Sequence, residues 1–371
     1  MPYYFDLRRD FRNAVDRTEV AQNLLRLKTQ LESEIPDKDL EQHLLLATWN
    51  IRDFNKKSRK GFGKRTKDSL YYIAEIIAHF DLVAVQEVNQ LDELKKVMRI
   101  LGPEWDYIAT DVSDIRAGGN GERMTFVFDK RKVRFKNIAG EIVLPPSKLI
   151  SKTEFKVDGK KVVGGKQFRR TPFIVSFQSG WFKFDICTVH IYYGSSSGAK
   201  LQERVQEISG IAQYLKEKAS KDLKRDNRSL ILLGDFNIVS PEHQTMHSLL
   251  DHGFEIPAQL QRPSNIGQDH FYDQIAFITD PSTLEYIDQI DEANPKNNNA
   301  GLFDIFGSVF RSEDGPRYLS EMKASSNGKK CETQTDLLDY YKTWRTYQMS
   351  DHHLMWARIK INNSQRYLSN L

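Results

Sequence analysis

The chain is poor in the features that mark secreted or membrane-embedded proteins. It has only two cysteines, Cys187 and Cys331, too few for a disulfide framework. Cys187 also lies in an apolar, strand-like run, where a thiol packs as a small hydrophobe. No stretch of about 18 consecutive apolar residues is present, which excludes a membrane-spanning helix. The opening residues Met1-Pro2-Tyr3-Tyr4-Phe5-Asp6-Leu7-Arg8-Arg9 lack the basic start, apolar middle and small-residue cleavage site of a secretory signal. These absences point to a cytoplasmic protein in a reducing compartment. Repeats of fixed period and low-complexity tracts are also missing.

Nor is charge strongly one-sided. The net charge of +4 over 371 residues says little about a polyanion partner, but its placement says more. Lys56, Lys57, Arg59, Lys60, Lys64, Arg65 and Lys67 crowd one glycine-containing loop, and a second basic stretch runs from Lys130 to Arg170. Such blocks are either solvated faces or phosphate-binding surfaces.

What is present is a mixture of strand and helix patterns. Val20, Leu24, Leu27 and Leu31 recur at near-helical spacing, which predicts a helical extension over residues 1–40. Short apolar runs predict strands over Leu44–Trp49, Asp81–Gln86, Met124–Asp129, Phe173–Phe177, Phe182–Val189, Leu230–Leu233, Gln274–Ile278 and Leu354–Ile361. Helical patterns fall between them, at Lys67–His79, Leu91–Leu101, Lys200–Lys218 and Glu242–His252. The Asp158-Gly159 pair inside Val157–Val163 is a hairpin signal. Together these predict a layered α/β sandwich over residues 41–363. The polar stretch opening at Asn294-Pro295-Lys296-Asn297 is expected to be a surface insertion over about residues 290–345, with Phe303, Phe306 and Phe310 inside it.

Polar residues of one chemical type interrupt these strands at their ends. Trp49-Asn50-Ile51-Arg52, Val85-Gln86-Glu87 and Thr188-Val189-His190 each end a run, and Tyr272-Asp273 opens one. Ser229-Leu230-Ile231-Leu232-Leu233 runs into Gly234-Asp235-Phe236-Asn237, and Ser350-Asp351-His352-His353 precedes the last strand. Singly, each has an ordinary structural explanation: Asn50 as a turn former, Glu87 as a capping acid, Asp235 with Asn237 as an Asx turn. Jointly, acids, amides and imidazoles without a cysteine cluster suit a hard cation such as Mg²⁺, Mn²⁺ or Ca²⁺ better than structural zinc. Phosphate-ester hydrolysis needs such a set: an activated water, neutralised nonbridging oxygens and a stabilised leaving oxyanion.

The ordered series Trp49-Asn50-Ile51-Arg52, Gln86-Glu87-Val88, Gly121-Glu122-Arg123, Arg170-Thr171-Pro172, Val189-His190, Gly234-Asp235-Phe236-Asn237, Tyr272-Asp273 and Ser350-Asp351-His352 resembles the endonuclease/exonuclease/phosphatase superfamily, and within it the deoxyribonuclease I-like branch. The resemblance implies a four-layer α/β/β/α sandwich with two packed mixed, largely antiparallel sheets. It implies Glu87 as the principal metal ligand with Asn50 and Asp351 beside it, and Asp235 with Asn237 holding the scissile phosphate and positioning its attacker. His352 with Asp273, and His190 with Glu122, would serve as general base and general acid, with His352 the base. Arg170 and Arg52 would contact substrate phosphate through a bidentate fork. The expected activity is a metal-dependent phosphodiesterase, a nuclease acting on DNA or RNA. Two alternatives stand beside it. One is a phosphatase or phospholipase acting on an inositol phosphate, a nucleotide or a phospholipid head group; the other is a noncatalytic binding scaffold.

Overall fold

The computed structural model describes residues 2–57, 59–112, 121–157, 160–278, 284, 286–369 and 371. Period-two alternation sorts the first strands between two cores. Along β1 (His43–Phe54), Leu44 and Leu46 join one apolar cluster, while Leu45, Ala47, Trp49 and Ile51 join another. In β2 (Leu82–Val88), Leu82 and Ala84 divide from Val83 and Val85 in the same way. Both faces of these strands are buried, which is why they read as continuous apolar runs.

The first sheet has the order β12-β13-β1-β2-β4-β3, with β3 at Trp105–Ala109, β4 at Arg123–Asp129, β12 at Ala300–Phe303 and β13 at Leu354–Lys360. β1 and β2 run parallel and the other neighbours antiparallel. The second sheet has the order β11-β10-β9-β8-β5, where β5 is Arg134–Glu141, β8 Phe173–Ser179, β9 Phe182–His190, β10 Ser229–Asp235 and β11 Asp273–Ile278. There β9 and β10 are the parallel pair. Strands β6 (Ser151–Val157) and β7 (Lys160–Lys166) pair antiparallel as the hairpin signal predicts, with Asp158 and Gly159 outside the described residues.

Helices cover both outer faces. Ala14–Glu34, Lys67–Ala78 and Leu91–Leu101 bury Leu27, Ile73 and Val97 in the cluster on the outer side of the first sheet. Gly198–Asp226 and Gln244–Leu250 bury Ile211, Leu215 and Leu249 in the cluster that includes the second sheet. The result is the expected four-layer α/β/β/α sandwich. The first of these helices starts where Asn13 accepts a hydrogen bond from the Val15 amide at 2.9 Å, and its predicted apolar stripe, Val20, Leu24, Leu27 and Leu31, is buried.

The expectation of a surface insertion over 290–345 is corrected. Phe303, Phe306 and Phe310 are buried in the outer core of the first sheet, and β12 adds a strand to that sheet's edge. The Gln334–Gln348 helix is capped by Thr333, whose Oγ1 accepts from the Asp336 amide at 3.1 Å, and it buries Leu337, Tyr341, Trp344 and Tyr347. Dense Asn, Lys and Ser between the aromatics hide this packing from a reading based on polarity. No helix among the described residues is long and apolar enough to cross a membrane, and both cysteines are free.

Candidate active site

Strand register assembles half of the site. His190, which ends β9, lies opposite Asp235, which ends β10, and Asp235 lies opposite Asp273, which opens β11. Residues paired across neighbouring strands project from one face, so a single row across the sheet carries an imidazole and two carboxylates. Gly234 makes the approach to that row feasible. Its φ is +128°, and a Cβ there would lie 2.1 Å from the Val189 carbonyl oxygen.

The first sheet supplies the other half. On β1 the face carrying Leu44 and Leu46 continues through Thr48 to Asn50, which brings the amide to the end of the space between the sheets. Asn50 Nδ2 reaches Asp235 Oδ2 at 3.0 Å and Glu87 Oε1 at 3.3 Å. Simple alternation would place Glu87 on the same face as Val83 and Val85, toward the helices. A positive φ of 61° and the register shift between Val85 and Val88 turn it to the site instead. Its Oε2 accepts from the Asp53 amide at 2.7 Å.

Two histidine and carboxylate pairs face each other across Asp235. His190 Nδ1 lies 2.9 Å from Glu122 Oε1, and His352 Nδ1 lies 2.7 Å from Asp273 Oδ2. Both opposite ring nitrogens turn to Asp235 Oδ2, His190 Nε2 at 3.4 Å and His352 Nε2 at 4.0 Å. Burial works against charge on His352, but Asp273 and Asp235 outweigh it and hold the imidazolium well above the ordinary histidine range. For His190, burial and Arg170 are outweighed by Glu122 and Asp235, and its pKa is likewise raised. Burial would raise Glu122, yet His190 and Arg170 reverse that and keep its carboxylate below the usual range.

The arginines sit differently from a free fork. Arg170 Nε is paired with Glu122, and its Nη1 is within 3.4 Å of the His190 carbonyl and 3.3 Å of that of Ile191. Arg52 Nη1 donates to Thr346 Oγ1 at 2.7 Å and pairs with Asp351 Oδ2 at 3.2 Å, while the guanidinium lies 3.9 Å over the Tyr347 ring. Of the basic loop, Arg59 and Arg65 are buried. Arg59 donates to the Gly63 carbonyl at 2.9 Å, and Arg65 to those of Met349 at 3.0 Å and Arg52 at 2.8 Å. Lys57, Lys60, Lys64 and Lys67 remain exposed.

Glu87, Glu122 and His190 form a group whose ligand atoms lie within 4.8 Å of one another. Arg170 already occupies Glu122 as its cation, which leaves the Glu87 side as the better seat for a metal. There Asn50 Oδ1 is buried without a hydrogen-bond partner. Burial, with repulsion from Glu122 and Asp351, raises the Glu87 pKa despite the opposing effect of His190. An orphaned amide oxygen beside a carboxylate held against its own charge fits a hard cation. Asp351 lies at the edge, half-buried and paired with Arg52.

Asn237 is a support of the row, with its amide N–H on Asp235 Oδ1 at 2.9 Å and its Nδ2 on the Ile191 carbonyl at 2.7 Å. Two further contributors lie outside the expected set. Ser264 Oγ donates to Asp273 Oδ2 at 2.7 Å and accepts from the Asp273 amide at 2.9 Å, fixing the carboxylate behind His352. Glu207, on the long helix Gly198–Asp226, accepts from the Arg169 amide at 3.0 Å and the Tyr192 amide at 3.4 Å, tying together the segments that carry Arg170 and His190.

No family model matches the chain, and no curated protein matches it. Solved structures do. An endonuclease/exonuclease/phosphatase family protein from Bacteroides thetaiotaomicron is 18% identical, covers 86% of this chain and 98% of its own, and superposes with a TM-score of 0.50. The human nocturnin catalytic domain with bound sulfate is 14% identical, with 87% and 96% covered and a TM-score of 0.48. Humanised D. rerio TDP2 is 12% identical, with 85% and 98% covered and a TM-score of 0.47. The likeness to the Bacteroides protein is one of fold: the chain has the endonuclease/exonuclease/phosphatase fold.

Proposed function

We propose that this protein is a divalent-metal-dependent phosphodiesterase that hydrolyses nucleic acid. One observation carries the reading: two buried imidazoles, each backed by a buried carboxylate, direct their Nε2 atoms at the same oxygen of Asp235. A phosphoryl group entering that space meets hydrogen-bond donors from two sides, where charge grows on its oxygens in the transition state.

Glu87 and the Asn50 amide oxygen, with Asp351 at the edge, would hold Mg²⁺ or Mn²⁺, with Ca²⁺ as a further candidate. When bound, the ion would neutralise charge on the nonbridging oxygens and the leaving oxygen. Asp273 and Asp235 raise the His352 pKa, and in its protonated form the imidazolium is suited to donate to the phosphoryl group. Asp235 Oδ2, lying between the two imidazoles, is the group placed to orient the attacking water and take its proton. Arg170 holds Glu122 ionised behind His190. The exposed lysines of the 57–67 loop supply positive charge for a polyanionic backbone, which favours nucleic acid over a small phosphate ester.

The test is a panel of duplex DNA, single-stranded DNA, RNA, inositol phosphates, sugar phosphates and nucleotides, each with Mg²⁺, Mn²⁺ or Ca²⁺ and with chelator. Metal-dependent cleavage of a nucleic acid is the expected result. Intact nucleic acids with phosphate released from a small ester would replace this reading with the phosphatase, and no hydrolysis at all would leave a binding scaffold.

A further inference from the structure

An aromatic cluster adjoins His352 that the proposed chemistry does not use. The Tyr272 ring lies 5.5 Å from the His352 ring at 30°, and on it His270 stacks at 4.8 Å. Tyr193 meets Tyr272 edge-on at 6.4 Å. Tyr193 is 39% exposed, while Tyr272 and His270 are half-buried, so the cluster forms part of the surface beside the imidazole.

This surface is held rigidly. The Arg204 guanidinium is fully buried 4.3 Å from the Tyr193 ring. Its Nε donates to the Tyr193 carbonyl at 2.9 Å, its Nη2 to that of Ser195 at 2.6 Å and its Nη1 to that of Asn237 at 2.8 Å. One buried cation therefore fixes both the aromatic surface and the backbone following Asp235. Solvent-facing rings cost free energy when they could be buried, and rings fixed beside a reacting centre offer a planar partner a face at little entropic cost.

We propose that Tyr193, Tyr272 and His270 form a subsite that stacks an unpaired nucleobase adjacent to the scissile phosphate, which makes single-stranded or locally opened nucleic acid the preferred substrate. The inference rests on the nuclease reading. Stacking on aromatic side chains tolerates any base, so the subsite selects strandedness rather than sequence. A base held in a duplex has both faces occupied and cannot use it.

The test compares steady-state kinetics, under identical metal and salt, on three oligonucleotides of one length. They are a single strand, the same strand with abasic sugars flanking the cleavage position, and the strand annealed to its complement. Wild type is expected to show a KM about tenfold lower on the single strand than on the abasic one, with kcat within about twofold, as loss of one stacked base predicts. Tyr193→Leu keeps bulk over Arg204 and should raise KM only on the base-bearing strand, removing the discrimination, and Tyr193→Phe should restore it. Unchanged melting temperatures would show that both variants are folded. Equal KM on base-bearing and abasic strands in wild type would overturn the subsite while leaving the nuclease reading intact, as would an equal loss on both strands in Tyr193→Leu. Failure to cleave any oligonucleotide would overturn both.

Discussion

Asp273 and Glu122 have the same task at the residue scale, since each fixes a histidine through Nδ1 so that Nε2 faces Asp235. Replacing His352 or His190 by Ala should lower kcat/KM by about 10²–10⁴, the range for lost proton donation, with little change in circular dichroism. Asp273→Asn should lose most of the same factor, because an amide at that position neither holds the tautomer nor supports the imidazolium. A loss below about fivefold in all three would remove the histidines from the account. Gly234→Ala makes the opposite kind of prediction. Its Cβ would meet a backbone oxygen that cannot move away, so a urea melt should show a loss of at least about 2 kcal/mol. Asn50, Asp235 and His352 could be nominated from the chain alone, because a polar group flanking an apolar run announces a strand end. The Ser264 contact could not: Ser264 meets Asp273 by folding back across a loop. The orientation of Glu87 was equally hidden, since it depends on a positive φ where alternation points the other way.

Among elements, the Gly198–Asp226 helix does more than cover the second sheet. Its Glu207 is buried beneath the two active-site segments, with Glu203 and Arg170 as its charged neighbours and the Arg169 and Tyr192 amides as donors. Burial, partly offset by those amides, pushes its pKa from 4.5 up to about 7. The unfolded chain releases that proton first, so between these values the unfolded state holds fewer protons and stability falls as pH rises. By linkage the loss approaches about 3 kcal/mol above pH 7. Glu207→Gln should flatten this part of the stability curve, measured by urea unfolding between pH 5 and 8; an unchanged slope would place the titration elsewhere. The N-terminal helix is a structural element of the same standing. Leu27 is fully buried in the outer core, and Leu27→Ala should cost about 2–5 kcal/mol. Its stripe was legible because four apolar residues keep helical spacing, whereas the packed aromatics of 300–348 were not, being spread over a short strand, turns and a helix.

Across the whole molecule, the sandwich brings Asn50, Glu87, His190, Asp235, Asp273 and His352 together; the chain's order of strands and helices was enough to foresee a layered α/β sandwich, and the family resemblance its four layers. The pairing of β9 with β10 and β11 was not, since register depends on tertiary contacts, and it is the register that sets His190, Asp235 and Asp273 in a row. Contact between the exposed lysines of the 57–67 loop and a nucleic-acid backbone would make the enzyme salt-dependent. The logarithm of kcat/KM on nucleic acid should fall linearly with the logarithm of salt, and changing Lys57, Lys60 and Lys64 to Gln should reduce the slope by about 0.7–0.9 for each phosphate that the loop no longer neutralises. The central claim, that Asp235 lies between two proton-donating imidazoles to drive metal-dependent hydrolysis, is tested most directly by Asp235→Asn. The amide is isosteric and its Oδ1 can still accept from the Asn237 N–H, so the fold should stand; the NH₂ replaces the oxygen that faces Asn50 Nδ2 and both imidazoles. The measurement is the single-turnover rate of oligonucleotide cleavage with Mg²⁺ or Mn²⁺, alongside the melting temperature. The account predicts a rate at least about 10³-fold below wild type at an unchanged melting temperature; a folded Asp235→Asn protein cleaving within a few-fold of wild type would contradict it.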